Sequence, residues 1–108
     1  MGVSHKIQME SIEIRQTPAF AAWFGALRDE RARARIAIRI RRLSLGLEGD
    51  WKGVGAGVRE LRIDHGPGYR IYYLKRGSRL VILLAGGDKS SQRADIAAAI
   101  ELAARLEE

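Results

Sequence analysis

Hydrophobic and polar residues change their spacing several times along this chain of 108 residues, and each change marks a predicted element. In IEIR (12–15) isoleucines alternate with charged residues, which is the period-two pattern of a short strand. Thr17 and Pro18 then supply a cap and a first-turn residue, so we predict a helix over 18–29. The inward face of this helix combines residues three and four positions apart: Phe20, Trp23, Phe24 and Leu27.

The segment RARARIAIRIRR (31–42) fits two patterns, because its apolar and basic residues alternate as in a strand. Alanine and arginine, however, favour helix over strand. Apolar residues also recur at helical spacing through this region: Ala32, Ile36, Ile40, Leu43 and Leu47. Gly46 supplies a stop signal, and we therefore predict a second helix over 30–45.

A glycine-rich stretch, GLEGDWKGVGAG (46–57), is predicted to be a loop. Period two then returns in three segments joined by HGPG and RGS, which predicts an antiparallel meander: VRELRID (58–64), YRIYYLK (69–75) and RLVILLA (79–85). The last segment is apolar without alternation, so we expect a central strand that is buried on both faces. The first strand is its natural neighbour on the free side, and Gly86 and Gly87 are expected to end it.

A closing helix is predicted over about 90–106, with an inward face of small and apolar residues: Ile96, Ala99, Ile100, Ala103 and Leu106. The element order is then β-α-α-β-β-β-α. This order indicates an α+β fold, in which two N-terminal helices and one C-terminal helix pack on a mainly antiparallel, four-stranded sheet. The length suits a single domain over 1–108.

Charge is distributed unevenly along the chain, whose formal net charge is +6. Residues 28–93 contain 16 Lys and Arg but only 7 Asp and Glu, whereas the two ends together contain 3 and 6. A basic middle indicates a polyanion or an acidic protein as partner. The N-terminal residues have no apolar signal region, and no apolar run reaches the ~18 residues that span a bilayer. We therefore expect a cytoplasmic protein with no membrane partner.

Several kinds of site are disfavoured because their residues are missing. Cysteine is absent and the histidines are His5 and His65, so a zinc cluster is not expected. GGDKSS (86–91) resembles a phosphate-binding loop, but Asp88 separates Gly87 from Lys89 and the required pattern is not met. We predict no metal site and no cofactor.

Two arginines are expected to face each other across the first predicted hairpin of the meander. If the apolar residues of both strands face the core, then Glu60, Arg62, Arg70 and Tyr72 face outward. The simplest register places Arg62 opposite Arg70 and Glu60 opposite Tyr72. Because opposed like charges repel, this arrangement makes sense when an anion lies between the two guanidinium groups.

Lys89 is predicted at the edge of the same sheet, next to a helix N-terminus whose free N–H groups and dipole attract anions. Together with the two arginines it predicts a compact phosphate pocket, in which Glu60 or Lys89 would transfer protons. Tyr72 would stack on a base or donate a hydrogen bond. Since RNA carries its own nucleophile, the 2′-OH, such a pocket needs no metal. His65 is an alternative base, although a histidine in a Gly-Pro turn is more often simply exposed.

The stretches GDWKGVGAGVRELRIDHGPGYRIYY and LLAGGDKSSQRADIAAAI resemble the phage-derived addiction-module killer proteins. These are a HigB-like branch of the RelE/ParE toxin superfamily of type II toxin–antitoxin systems. The resemblance runs from about Pro18 to Ala103. It implies the RelE-like fold and ribosome-dependent, metal-free cleavage of mRNA. It also implies the ribosome and mRNA as partners, and a helix-turn-helix, HigA-like antitoxin that forms a hetero-oligomer with the toxin.

The family's motif residues can be carried over by position. Its basic strand residue falls on Arg62, its GYR arginine on Arg70, and its basic residue after the last strand on Lys89. A C-terminal tyrosine of the best-known ribosome-dependent members has no counterpart in QRADI (92–96), so that role is empty or passes to Tyr72 or Gln92. The candidate catalytic residues are Arg62, Arg70, Lys89, Glu60 and Tyr72. The candidate RNA- or ribosome-binding residues are Lys52, Arg59, Gln92 and Arg93.

Two other functions compete with mRNA cleavage. One is a non-enzymatic poison of DNA gyrase, as on the ParE side of the superfamily, and the other is a basic nucleic-acid-binding domain without activity. A phosphate pocket favours cleavage, whereas a helical hairpin as the chief contact surface would favour the gyrase poison.

Overall fold

The computed structural model describes residues 11–106, so His5 and both ends of the predicted domain lie outside the described residues. The α+β class is confirmed. The elements, in chain order, are β1 (Glu13–Gln16), α1 (Pro18–Ala26), α2 (Glu30–Ser44), β2 (Trp51–Gly55), β3 (Val58–Ile63), β4 (Tyr69–Arg76), β5 (Leu80–Asp88), a short 3₁₀ turn (Lys89–Ser91) and α3 (Gln92–Leu106).

The first two helices begin at capping side chains. The Thr17 hydroxyl accepts a hydrogen bond from the Phe20 N–H at 3.1 Å and donates one to the Leu84 carbonyl at 2.6 Å, so the cap also fixes α1 to β5. The Asp29 carboxylate accepts the Arg31 and Ala32 N–H groups at 3.0 and 3.1 Å. Because Asp29 caps α2, α1 ends at Ala26 and not at the predicted residue 29.

The sheet has the strand order β1-β5-β4-β3-β2, with β1 parallel to β5 and the other pairs antiparallel. The predicted central position of β5, with the first strand beside it, is confirmed. The predicted count of four strands is wrong, because Trp51–Gly55 in the glycine-rich stretch pairs with β3 as an edge strand. Left-handed backbone at Gly55, Ala56 and Gly57 makes the tight turn between them. Glycines within β2 remove the alternation that identifies a strand.

The strand β5 continues through Gly86 and Gly87 to Asp88, so the prediction that the glycines end it is wrong. Neither glycine has a positive φ. Each lies where a helix approaches the sheet closely: a Cβ on Gly86 would collide with the Trp23 ring of α1, and a Cβ on Gly87 with the Asp95 carboxylate of α3. The two glycines therefore permit helix packing on opposite faces.

Each face of the sheet is covered by helix, which creates two hydrophobic clusters. On one face α1 and α2 contribute Phe20, Ala32, Ile36 and Leu43, packed on strand residues that include Leu61, Ile63, Ile71 and Tyr73. On the other face α3 contributes Ala99 and Ala103, packed on Val58, Tyr72, Leu74 and Leu84. Leu47 and Leu106, predicted to face inward, are 59% and 42% exposed because they lie at or beyond the ends of the helix packing.

We predict that Gly86→Ala is strongly destabilising, because the added methyl group would meet the Trp23 ring in a packed core. Overpacking of this kind costs about 1–3 kcal/mol. The matched control is Gly53→Ala in β2, where a Cβ meets no heavy atom within 4 Å. Urea unfolding should show a clear loss for the first variant and a small change for the second. Equal stability of both variants would contradict the close approach of α1 to β5.

Candidate functional site

A cleft of about 420 Å³ lies at the end of the sheet where β3, β4 and β5 meet. Its lining comes from the residue before β2, from the β3–β4 hairpin and from the 3₁₀ turn: Asp50, Arg62, Asp64, Gly66, Pro67, Gly68, Arg70 and Lys89. The three basic residues that the sequence predicts to form a phosphate pocket are thus brought to one cleft.

The strand register explains why these residues meet. Arg62 lies opposite Arg70, and Glu60 opposite Tyr72, as predicted. Arg70 also lies opposite Gly87 on its other side, which brings the end of β5 to the same place. The Lys89 N–H donates to the Pro67 carbonyl at 3.4 Å and joins the 3₁₀ turn to the tip of the hairpin.

The cleft contains three cations and two carboxylates. Arg62 donates from Nη2 to Asp50 Oδ1 at 2.9 Å, in a pair whose side chains are 42% and 57% exposed. Asp64 and Lys89 make no side-chain hydrogen bond or ion pair within residues 11–106. Since exposed ion pairs contribute little stability, an incoming anion can replace Asp50 as the partner of Arg62.

Arg70 is held more firmly than the other two cations. Its side chain is 13% exposed, with Nε 3.8 Å from Glu60 Oε1. Its Nη1 makes long contacts of 3.4 Å with the Gly68 and Tyr69 carbonyls. A side chain restrained in this way loses little conformational freedom when it binds an anion.

Glu60 and Tyr72 do not face an open surface, so that part of the prediction is wrong. Both residues are 0% exposed because α3 covers this face of the sheet. Burial is the largest cause of the raised pKa of the Tyr72 hydroxyl, with the neighbouring Glu60 carboxylate contributing next. A base cannot stack on Tyr72 in this position, and we assign neither residue a direct contact with substrate.

The buried Glu60 carboxylate instead connects α3 to the cleft. Its Oε2 accepts a hydrogen bond from Gln92 Nε2 at 2.9 Å, and its Oε1 lies 3.9 Å from Lys52 Nζ. Arg70 also lies next to Oε1 of Glu60. The carboxylate therefore links Gln92 at the start of α3, Lys52 on the edge strand β2 and Arg70 in the cleft. Among the described residues only Oε2 is hydrogen-bonded, whereas the buried Oε1 has Lys52 and Arg70 at 3.9 and 3.8 Å but no hydrogen bond. The buried charge is therefore stabilised by the Gln92 amide on one oxygen and by charge pairing on the other.

The start of the closing helical segment is occupied by a carboxylate of the protein itself. Asp88 Oδ1 accepts the Ser90 N–H at 2.8 Å and also the Ser90 hydroxyl. The Ser90 hydroxyl is the main cause of the lowered pKa of Asp88. The expectation of free N–H groups for an external anion is therefore wrong at Ser90, and Lys89 contributes to the cleft through its side chain.

The four candidate RNA-binding residues are not gathered at the cleft. Arg59 is bound to Glu48 at 2.6 and 2.8 Å and lies over the Trp51 ring at 4.1 Å. Gln92 is held by Glu60. Lys52 is exposed on the edge strand and Arg93 on the first turn of α3, and neither lines the cleft.

Two carboxylates of the cleft, Asp50 and Asp64, were not identified from the sequence. Asp50 directly precedes β2, a strand that was not predicted because its glycines remove the alternating pattern. Asp64 directly precedes the HGPG turn, and this position could have identified it as a residue at the end of the hairpin. His65 does not line the cleft, because its Nε2 lies 3.3 Å from Asp29 Oδ2 at the start of α2.

Within residues 11–106, no group of three His, Cys, Asp or Glu residues is arranged to hold a metal ion. No helix in that range has the length and apolar character needed to cross a membrane.

Fold and cleft together define a small α+β protein with a cleft at one end of its sheet that three basic residues line. The model of the family described as "Phage derived protein Gp49-like (DUF891)" matches residues 22–107. An uncharacterized protein of Haemophilus influenzae is 49% identical over 96 residues, which cover 89% of this chain and 97% of that protein. The chain therefore belongs to the Gp49-like phage-derived family, which is associated with toxin–antitoxin modules.

We predict that Gln92→Ala is destabilising, because it leaves the buried Glu60 Oε2 without its amide donor. An unsatisfied buried acceptor costs about 1–3 kcal/mol. Arg93→Ala, one residue further along α3 and exposed, is the control and should change stability by less than about 0.5 kcal/mol. Urea unfolding measures both, and equal effects would contradict a specific Glu60–Gln92 contact.

We predict a pH-dependent effect of Asp88→Asn. The pKa of Asp88 is lowered in the folded protein, so its charge stabilises the fold above the unfolded pKa of about 3.9. That contribution is lost as the pH falls through the folded pKa. The stability difference between parent and Asp88→Asn should thus be present at neutral pH and disappear in acid. A difference that stays constant from pH 7 to pH 2 would contradict the role of the carboxylate charge.

Proposed function

We propose that this protein is the toxin of a type II toxin–antitoxin module of the HigB-like kind. It acts as a metal-independent, ribosome-dependent mRNA endonuclease that blocks translation in the cytoplasm. Its partners are the ribosome with its mRNA and a helix-turn-helix, HigA-like antitoxin. The observation that supports this proposal most strongly is the single cleft that contains Arg62, Arg70 and Lys89. The association of the family with toxin–antitoxin modules supports the biological role.

The three cations suit a phosphodiester because they differ in exposure. Arg70 is largely buried and restrained, so it offers a fixed guanidinium to one phosphate oxygen. Arg62 binds a second oxygen once its exposed pair with Asp50 opens. Lys89 is exposed and free to follow the charge that develops during the reaction.

In the proposed reaction the RNA supplies its own nucleophile. The 2′-oxygen attacks the adjacent phosphorus, so the O2′–P bond forms and the P–O5′ bond breaks. The products are a 2′,3′-cyclic phosphate and a 5′-hydroxyl. The Asp64 carboxylate accepts the 2′-OH proton, and the Lys89 ammonium stabilises the phosphorane and donates a proton to the leaving O5′. Glu60 does not contact the RNA in this reaction, and its role is to position Arg70, which does.

The remaining candidates take supporting roles in this proposal. Lys52 and Arg93 are exposed, and they contact ribosomal or messenger RNA outside the cleft. Arg59 and Gln92 already have partners in the protein and maintain its structure. Tyr72 packs beneath α3.

We predict that Lys89→Ala and Arg70→Ala each reduce cleavage of mRNA on programmed ribosomes. Removal of one cation that stabilises a developing oxyanion costs roughly 10²–10³ in rate. The control is Arg105→Ala on the last turn of α3, where the arginine pairs with Glu101 and is 67% exposed. Its cleavage rate should match that of the parent, and cleavage is measured as new 5′ ends in the message.

Two results would contradict the proposed function. If the parent protein arrests growth while mRNA stays intact and gyrase–DNA complexes accumulate, the protein is a gyrase poison. If Lys89→Ala, Arg70→Ala and Arg105→Ala cleave equally well, the cleft is not the site of the reaction. Folding of each variant is checked by circular dichroism, because Arg70 contacts the buried Glu60.

A further inference from the structure

The outer face of α2 carries a stripe that neither the core nor the cleft uses. Its residues are spaced by three, four and three positions: Arg35, Ile38, Arg42 and Leu45. This 3.5-residue spacing is that of a helix seam that packs against a second helix. Ile38 and Leu45 are 51% and 48% exposed, so the apolar positions of the seam are largely uncovered.

A groove of about 310 Å³ runs along the part of this stripe formed by Arg35, Ile38 and Arg42. Leu45, the C-cap of α2, lies next to the turn of Arg42 but outside the lining of the groove. One wall consists of Arg35, Ile38, Arg39 and Arg42 from α2, and the other of Ile63 and Asp64 at the end of β3. Arg39 donates to the Arg62 and Glu48 carbonyls at 2.8 and 3.4 Å, and partial burial lowers the pKa of its guanidinium. Arg39 is thus a fixed part of the α2 wall of the groove.

The charge of the groove indicates an acidic occupant. Arg35 and Arg42 make no side-chain hydrogen bond or ion pair within the described part of the chain, and Arg42 lies close enough to Arg39 to repel it. Arg35 and Arg42 are exposed on either side of Ile38. A partner helix with two carboxylates on either side of a leucine would complement this arrangement. A nucleic acid fits less well, because Ile38 would gain no apolar partner from a phosphate backbone.

We propose that this groove binds an acidic amphipathic helix, with carboxylates opposite Arg35 and Arg42 and apolar side chains opposite Ile38 and Leu45. Under the proposed function, the helix is a segment of the antitoxin. Asp64 lines both this groove and the cleft, so a helix seated on α2 lies at the rim of the cleft and covers the carboxylate proposed as the base. Antitoxin binding and inhibition are thereby coupled through one residue.

The first test uses a synthetic, end-blocked helical peptide with Glu and Leu at the complementary seam positions. Titration calorimetry with the full chain should show that Arg42→Glu and Ile38→Asp each weaken peptide binding by about tenfold or more. The control is Arg41→Glu, an exposed neighbour on the same helix that does not line the groove. It should weaken binding by less than about threefold, because a charge outside the interface acts only through screened attraction.

A short RNA oligonucleotide is the second probe. If Arg42→Glu lowers RNA affinity as much as Lys89→Ala does, while peptide affinity is unchanged, the groove binds nucleic acid and the proposal is overturned. Equal peptide binding by Arg42→Glu, Ile38→Asp and Arg41→Glu would also overturn it.

Co-expression with the antitoxin of the module separates this inference from the proposed function. Arg42→Glu should arrest growth even when the antitoxin is present, whereas the parent is neutralised. Growth arrest by the variant also shows that it is folded. If the parent alone does not arrest growth, the proposed toxin function fails, and the peptide and RNA titrations still decide what the groove binds.

Discussion

The contact on which the remaining structure depends is the close packing of two helices against Gly86 and Gly87 of the central strand. Trp23 of α1 lies against one glycine and Asp95 of α3 against the other, on opposite faces of the sheet. A Cβ at Gly86 would force the packed Trp23 ring to move, and a Cβ at Gly87 would force the Asp95 carboxylate to move. This packing sets α3 over β3 and β4, so it decides which polar residues of these strands are buried and which reach solvent.

The boundary between buried and solvent-exposed polar residues falls within two residues along each of the strands β3 and β4. Glu60 and Tyr72 lie beneath α3, whereas Arg62 and Arg70, about 7 Å closer to the hairpin, reach the cleft. The buried carboxylate lies beside Arg70 on the protein side, whereas Lys89 is exposed at the mouth of the cleft. Under the proposed function, a largely buried cation beside an exposed one suits a reaction in which the phosphate keeps its place while its charge is redistributed.

The sequence predicts the class of fold from local periodicity, the register of the β3–β4 hairpin from that periodicity and the short turn, and the place of Lys89 from its position after the last strand. Period two places Arg62 opposite Arg70 whatever covers the sheet. The burial of Glu60 could not be predicted in this way, since it depends on where α3 packs. The strand β2 was missed because its glycines remove alternation, and Asp50 was missed with it. The role of Gly86 depends on a tryptophan more than sixty positions away.

Attraction and selectivity are supplied by different parts of this surface. The chain has a net charge of +6, but the cleft itself combines three cations with Asp50 and Asp64, so its own excess is small. Long-range attraction of a polyanion therefore comes from the whole basic surface. Entry into the cleft requires a group that competes with Asp50 for Arg62, as a phosphodiester with two free oxygens does. A lone carboxylate offers nothing that Asp50 does not already provide, so an acidic partner gains more from the open arginines of α2.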